Sequence, residues 1–224
     1  MQTLSDVKER IARAAERAGR KPEEITLVAV TKTHGPEEIN EAIACGVTDI
    51  GENKVQEILS KYDQITKGVR WHLIGHLQTN KVKSVVDKVD MIHSVDSLHL
   101  AEEIDRRCKA IGKTMDILIQ VNAAGEEQKS GIAPEEFPAL YEAITKLSNL
   151  RVRGLMQIAP DTDDTEALRK YFRIVKDLFD QIPGADVLSM GMSGDFEIAI
   201  EEGANMVRIG TAIFGERNYN NGSI

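Results

Sequence analysis

Short apolar runs alternate along this chain with longer stretches whose apolar residues recur at helical spacing. The first clear run, Thr26-Leu27-Val28-Ala29-Val30-Thr31, is apolar or β-branched throughout and reads as a strand buried on both faces. Before it, residues 3–18 place Leu4, Val7, Ile11, Ala14 and Ala18 on one face of an amphipathic helix. Thr3 or Ser5 suits its start and Gly19 its end. That helix is expected to cover one end or side of the fold. The alternation then predicts strands over 26–31, 47–51, 71–74, 91–95, 115–121, 152–158, 187–190 and 206–209. Helices are predicted over 36–45, 53–65, 79–86, 97–111, 134–147, 166–182 and 196–202, with a last helical turn after Gly210.

Eight strand units, each followed by a helix or helical turn, form the repeat of an α/β fold, the (β/α)8 TIM barrel. A doubly wound sheet is the alternative, but eight short parallel strands suit it poorly. No linker, low-complexity segment or composition shift divides the sequence, so a single barrel domain with an extra N-terminal helix is expected across residues 1–224. No second domain is expected beside it.

Charge and cysteine content narrow the classes. A net charge of −8 argues against a nucleic-acid surface, which needs a basic field. No apolar run reaches the length of a membrane span. The first residues carry Asp6, Glu9 and Glu16 and lack the apolar core of a signal peptide. Cys45 and Cys108 form no paired motif and read as reduced thiols packed in helices. A cytoplasmic location is expected and, without a long exposed apolar stripe, a monomer.

Lys32 follows the first strand, at the barrel edge where ligands bind. A lysine there is ordinarily a solvated side chain; the alternative is an amine that forms a Schiff base with a carbonyl compound. The loops after strands seven and eight, the usual phosphate site of such barrels, read Met190-Gly191-Met192-Ser193-Gly194-Asp195 and Ile209-Gly210-Thr211-Ala212. Each joins glycine and a hydroxyl at a helix start, which is plain capping or an anion cup. Arg208 is a lone charge in the apolar strand Met206-Val207-Arg208-Ile209. It is either a structural salt bridge or a fixed donor aimed at a bound ring or anion. An amine, a phosphate cup and a ring partner suit one ligand, pyridoxal 5′-phosphate (PLP). His72 and His76 straddle a strand end without the glutamate of a zinc motif, so no metal site is expected. His93 and His99 read as satisfied histidines, and Asp161-Thr162-Asp163-Asp164 as a loop and helix cap.

The sequence resembles the PLP homeostasis proteins, single-domain relatives of the N-terminal barrel of alanine racemase, over essentially its whole length. The resemblance is carried by Val28-Ala29-Val30-Thr31-Lys32, Gly51-Glu52-Asn53 with Val55-Gln56-Glu57, and Trp71-His72-Leu73-Ile74-Gly75 with Leu77-Gln78-Thr79-Asn80-Lys81. It continues through Val121-Asn122, Lys129-Ser130-Gly131, Arg153-Gly154-Leu155-Met156, Leu188-Ser189-Met190-Gly191-Met192-Ser193 and Val207-Arg208-Ile209-Gly210-Thr211. It implies Lys32 as the Schiff-base lysine, Arg208 near the pyridine nitrogen, Ser193, Gly210 and Thr211 around the phosphate, and Asn53 close to the ring. Many members carry a second lysine two positions after the first; here that position is His34. Lys129 matches the family and is an accessory or a solvated lysine.

An arginine already carries its proton and cannot hand one to the pyridine nitrogen, which mutes carbanion chemistry. The racemases of this fold add a second base from another domain, and Tyr62, Tyr141, Tyr171 and Tyr219 all fall in predicted helices or the C-terminal tail. The expectation is a carrier or buffer that holds PLP, supplies apo-enzymes and affects amino-acid and keto-acid pools indirectly, without efficient catalysis. The alternatives are a weak PLP-dependent amino-acid racemase and a Schiff-base aldolase on a phosphate-binding barrel, although the latter places its lysine on a late strand.

Overall fold

In the computed structural model, which describes residues 3–126 and 128–215, the eight apolar runs close into one parallel barrel in sequence order. The elements are α1 (Leu4–Arg17), β1 (Thr26–Val30), α2 (Pro36–Ala44), β2 (Asp49–Glu52), α3 (Val55–Lys61), β3 (Arg70–Leu73), α4 (Val82–Val85), β4 (Met91–Val95), α5 (Leu98–Ala110) and β5 (Met115–Val121). They continue as α6 (Phe137–Ile144), β6 (Leu150–Gln157), α7 (Thr165–Phe179), β7 (Val187–Ser189), α8 (Phe196–Glu201), β8 (Met206–Ile209) and α9 (Thr211–Phe214). Closure is made by β8 against β1, with Val28 opposite Arg208, and by β1 against β2, with Val28 opposite Asp49.

Apolar burial falls into two cores, as barrel geometry requires. The large one lies between the strands and the ring of helices and includes Ile39, Ile50, Ile104, Phe172 and Phe196. A small one plugs the barrel, built from Val28, Met91, Leu118, Met156, Val187 and Met206. α1 begins on a reciprocal cap between Thr3 and Asp6 and buries Val7, Ile11 and Ala14. It packs on the side of the barrel against α8, tied by Arg10–Glu197 and Arg17–Glu201 ion pairs and by Arg10 over the Phe196 ring. Asp164 caps α7 through the Ala167 N–H.

Several boundaries differ from expectation for identifiable reasons. The second strand is expected over 47–51 but ends at Glu52, because its two carboxylates, Asp49 and Glu52, are both fully buried. The helices expected over 79–86 and 134–147 each open as a 3-10 turn, Thr79–Lys81 and Pro134–Glu136. The one expected over 53–65 shortens to α3 and a 3-10 turn at Tyr62–Gln64, leaving Asn53 in a loop. Cys108 is buried in α5, whereas Cys45 sits exposed at the end of α2 rather than packed; both are free thiols. Among the described residues no helix is long and apolar enough to cross a membrane.

At the amino-terminal end of the barrel Asp49 accepts hydrogen bonds from Thr48, Arg70 and His72. Burial opposes its charge, yet these bonds bring it from 3.8 down to about 2. A carboxyl whose folded value is depressed stabilises above its unfolded value and loses that contribution as pH falls through the folded one. Asp49 therefore contributes about 2 kcal/mol at neutral pH. In urea unfolding, the deficit of Asp49→Asn relative to the parent should shrink steadily between pH 4 and pH 2; a deficit unchanged over that window contradicts the assignment.

Candidate functional site

The carboxyl ends of the strands surround a cavity of about 320 Å³, a size suited to a small molecule. Lys32, Asn53, Ser193, Arg208, Gly210 and Thr211, singled out from sequence, all line it. Val30, Ile74 and Ile158 add apolar wall between them.

Lys32 stands in a tight turn after β1, closed by the His34 N–H on the Thr31 carbonyl at 3.1 Å. Within it Thr33 takes φ = 69°, a left-handed conformation costly for a β-branched residue. A buried polar cluster holds that turn. The Thr33 N–H donates to Glu57 at 2.7 Å, and Lys61 Nζ donates to the Thr31 carbonyl, Glu57 and Glu52. The Thr31 hydroxyl donates to the same Glu52 oxygen at 2.7 Å, while the other oxygen is buried without a partner. Burial raises the Glu52 carboxyl against the pull of Lys61. Burial also works on Glu57, but the Lys61 and Thr33 bonds outweigh it and lower that carboxyl. Asn53 is fixed by close backbone packing: a Cβ on Gly75 would lie 2.2 Å from the Asn53 carbonyl oxygen.

Arg208 is 3% exposed, and the sequence left open whether a salt bridge holds it. Among the described residues no carboxylate lies within ion-pair distance. Its guanidinium donates to the Ser189 carbonyl at 2.9 Å, the Ser189 hydroxyl at 2.6 Å and the Gln157 carbonyl at 2.8 Å. Burial lowers it to about 10, partly opposed by Asp195, so it stays charged at neutral pH. The cavity thus has a fixed cation in its wall whose three assigned acceptors are neutral. Beside it, both side-chain amide atoms of Gln157 are buried without a hydrogen-bond partner.

The rim after β7 and β8 carries the Ser193 and Thr211 hydroxyls, and neither is hydrogen-bonded to another described residue. A Cβ on Gly210 would come within 3.1 Å of the Val30 carbonyl oxygen, so glycine lets this rim close against β1. The helix starts expected to assist an anion are weaker than the sequence suggests. α8 and α9 are short, and Asp195, raised by burial, takes the Met192 N–H at 2.6 Å. Anion binding here rests on hydroxyls and loop backbone.

The structure adds His34 to the cavity wall, stacked on Phe214 at 4.6 Å and hydrogen-bonded to Glu38 at 3.1 Å. Lys129 is engaged elsewhere, donating to the Ala159 carbonyl at 3.0 Å and paired with Glu126. Tyr62, Tyr141 and Tyr171 do not line the cavity, and Tyr219 lies outside the described residues. The support roles are what the sequence does not show: Lys61 lies outside every motif, and Glu57 and Ser189 lie within motifs that assign them no role.

A parallel (β/α)8 barrel with a lysine after β1 and a hydroxyl-bearing rim after β7 and β8 is a barrel of alanine-racemase type, and the model of the alanine racemase N-terminal domain family matches residues 3–218. A pyridoxal phosphate homeostasis protein of Aquifex aeolicus is 48% identical over 96% of this chain and 97% of its own length. One of Escherichia coli K12 is 42% identical over 96% of both. PipY of Synechococcus elongatus PCC7942, solved with PLP bound, superposes with a TM-score of 0.80 at 36% identity, covering 92% of this chain and all of PipY. The chain belongs to the family of pyridoxal phosphate homeostasis proteins.

Proposed function

We propose that this protein binds PLP in the barrel-mouth cavity and acts in intracellular PLP homeostasis as a carrier or buffer without efficient catalysis. The observation that carries this reading is the convergence of an amine, two free hydroxyls and a buried guanidinium without a carboxylate partner on one small cavity. The donor set fits the group: Lys32 for the aldehyde, Ser193, Gly210 and Thr211 for the phosphate, Arg208 for the pyridine nitrogen, Asn53 beside the ring. Bound PLP would supply an aldehyde carbon as electrophile, facing the Lys32 amine, and an electron-accepting ring. Arg208, still protonated in its buried setting, would offer the ring nitrogen a hydrogen bond rather than a proton, and the ring would remain a poor electron sink. Val30, Ile74 and Ile158 exclude water from one side of the cavity, and the Lys61 cluster holds the Lys32 turn in place. Such a molecule keeps a reactive aldehyde out of free solution and releases it to apo-enzymes on transient encounter. It is proposed to work as a cytoplasmic monomer.

The test is visible absorbance of the purified protein with PLP, then borohydride reduction and peptide mass mapping. A reduced adduct on Lys32 is the expected result; an adduct elsewhere, or none, overturns the reading. A second reading, weak amino-acid racemisation, is favoured by the His34 imidazole on the cavity wall. Against it, His34 projects from the same turn as Lys32, with its ring occupied by Glu38 and Phe214. Incubation with each alanine enantiomer should leave optical purity unchanged; rapid loss of purity that His34→Ala removes establishes the racemase.

A further inference from the structure

Behind Arg208 a continuous row of side chains crosses the barrel interior. The Ser189 hydroxyl, 2.6 Å from Arg208 Nη1, lies 3.1 Å from His93 Nδ1. His93 Nε2 lies 2.9 Å from His72 Nδ1, and His72 Nε2 lies 2.8 Å from Asp49 Oδ1. Ser189 and His93 are fully buried and His72 is 2% exposed. The row joins β8, β7, β4, β3 and β2, from the cavity to the opposite face.

Its polarity has one solution for neutral histidines. A guanidinium only donates, so Ser189 Oγ accepts from Arg208 and sends its own hydrogen to His93 Nδ1. His93 must then carry its hydrogen on Nε2 and donate to His72 Nδ1. His72 carries its hydrogen on Nε2 and donates to the Asp49 carboxylate. Burial keeps His93 well below the usual imidazole range, and His72 and Arg208 push the same way. A proton placed on His72 Nδ1 would reverse the two central bonds. Ser189 would then face two donors, and its hydroxyl hydrogen would have no acceptor in the row.

His72 is where such a proton would enter, because it lines a second pocket of about 200 Å³ at the amino-terminal face. The groups facing it are Asp49 on β2, Arg70 on its own strand and His93 on β4. Glu24, Asp90, Asp116, Asp186 and Arg153 line the pocket beneath.

We propose that Asp49, His72, His93 and Ser189 are positioning residues that act through Arg208. This one-way hydrogen-bond chain sets the guanidinium against the ring end of the cavity and makes its hold on the ring depend on protonation at the far face. The proposal rests on the PLP reading, and its test separates the two. PLP dissociation and the pH profile of the visible absorbance are measured on the full chain and on Ser189→Ala, His93→Phe and His93→Gln. Ser189→Ala and His93→Phe should weaken PLP roughly tenfold and move the midpoint of the pH profile in the same direction. His93→Gln, which keeps a donor and an acceptor, should restore the midpoint towards the parent value. Unchanged affinity and midpoint in both disrupting variants overturn the proposal, as does a midpoint that His93→Gln leaves where His93→Phe puts it. In the PLP-free parent protein, 15N resonances should show the His93 ring neutral with hydrogen on Nε2; hydrogen on His93 Nδ1 overturns the chain. If the parent binds no PLP, the functional reading fails, and these resonances alone decide whether the chain exists. They also decide if a variant fails to fold.

Discussion

Lys32→Ala should lose both the visible absorbance of the bound cofactor and the borohydride-stable adduct, and should weaken PLP at least a hundredfold, about 3 kcal/mol. The expectation follows from where the binding energy lies. Lys32 is the sole lysine among the cavity-lining residues described, so no neighbouring amine is placed to replace it. The Ser193 and Thr211 hydroxyls and the Arg208 guanidinium remain, and each such bond contributes about 1–2 kcal/mol net. Residual, fast-exchanging binding is therefore expected rather than complete loss. Lys32→Arg keeps a positive charge without a nucleophilic amine and should behave like the alanine variant, which separates covalent capture from simple attraction for phosphate. The fold should survive both changes, because the Thr31 hydroxyl and the Thr33 N–H, which both variants keep, bond to Glu52 and Glu57 and hold the turn. Fluorescence titration with PLP and intact-protein mass after reduction read the two effects. Parent-like affinity in Lys32→Ala would mean that the cavity holds its ligand without this lysine.

How far the site was legible depends on how local its signals are. β4 and β5 are found residue for residue, because apolar runs bounded by polar residues mark strands buried on both faces. Lys32, Ser193, Gly210 and Thr211 are legible because each directly follows or closely trails a strand, and barrel topology brings those positions to one mouth. Arg208 stood out as a charge within an apolar strand, but its partners could not be read. They are a hydroxyl and two carbonyls on β6 and β7, and only closure of the barrel brings them together. Asn53 was expected in a helix and lies in a loop, because the contact that fixes it is with Gly75, one strand further on. Glu52 falls just outside the strand expected over 47–51 for the opposite reason: an apolar search treats a carboxylate as the end of a strand, and here it is inside one. His72 and His93 show the same limit. The sequence pairs His72 with His76 and reads His93 as a satisfied histidine, and only the parallel pairing of β3 with β4 sets the His72 and His93 ring nitrogens 2.9 Å apart.

Lys61→Leu should be the most destabilising of the site-support substitutions, by about 3–5 kcal/mol at neutral pH. Lys61 is 8% exposed and supplies the positive partner of Glu52, which is fully buried and already has one oxygen unsatisfied. Removing the amine leaves the Thr31 hydroxyl as the one remaining donor to that carboxylate and frees Glu57, the acceptor that holds Thr33 in its left-handed turn. The sign of the pH dependence follows. Burial already raises Glu52 above its unfolded value, and loss of Lys61 raises it further. A group whose folded value is raised stabilises most at low pH and loses that contribution as pH rises through the folded value. The variant should accordingly recover as Glu52 becomes neutral, with a smaller deficit at pH 5 than at pH 8 in urea unfolding. Glu52→Leu combined with Lys61→Leu should regain most of the stability, because an apolar pair replaces a buried ion pair at little cost. It should not regain affinity for PLP, because the Thr31 carbonyl and Glu57 still lack the ammonium that ties the Lys32 turn to α3. A deficit independent of pH, or a double variant as unstable as Lys61→Leu alone, would show that the energy lies in packing rather than in the uncompensated carboxylate.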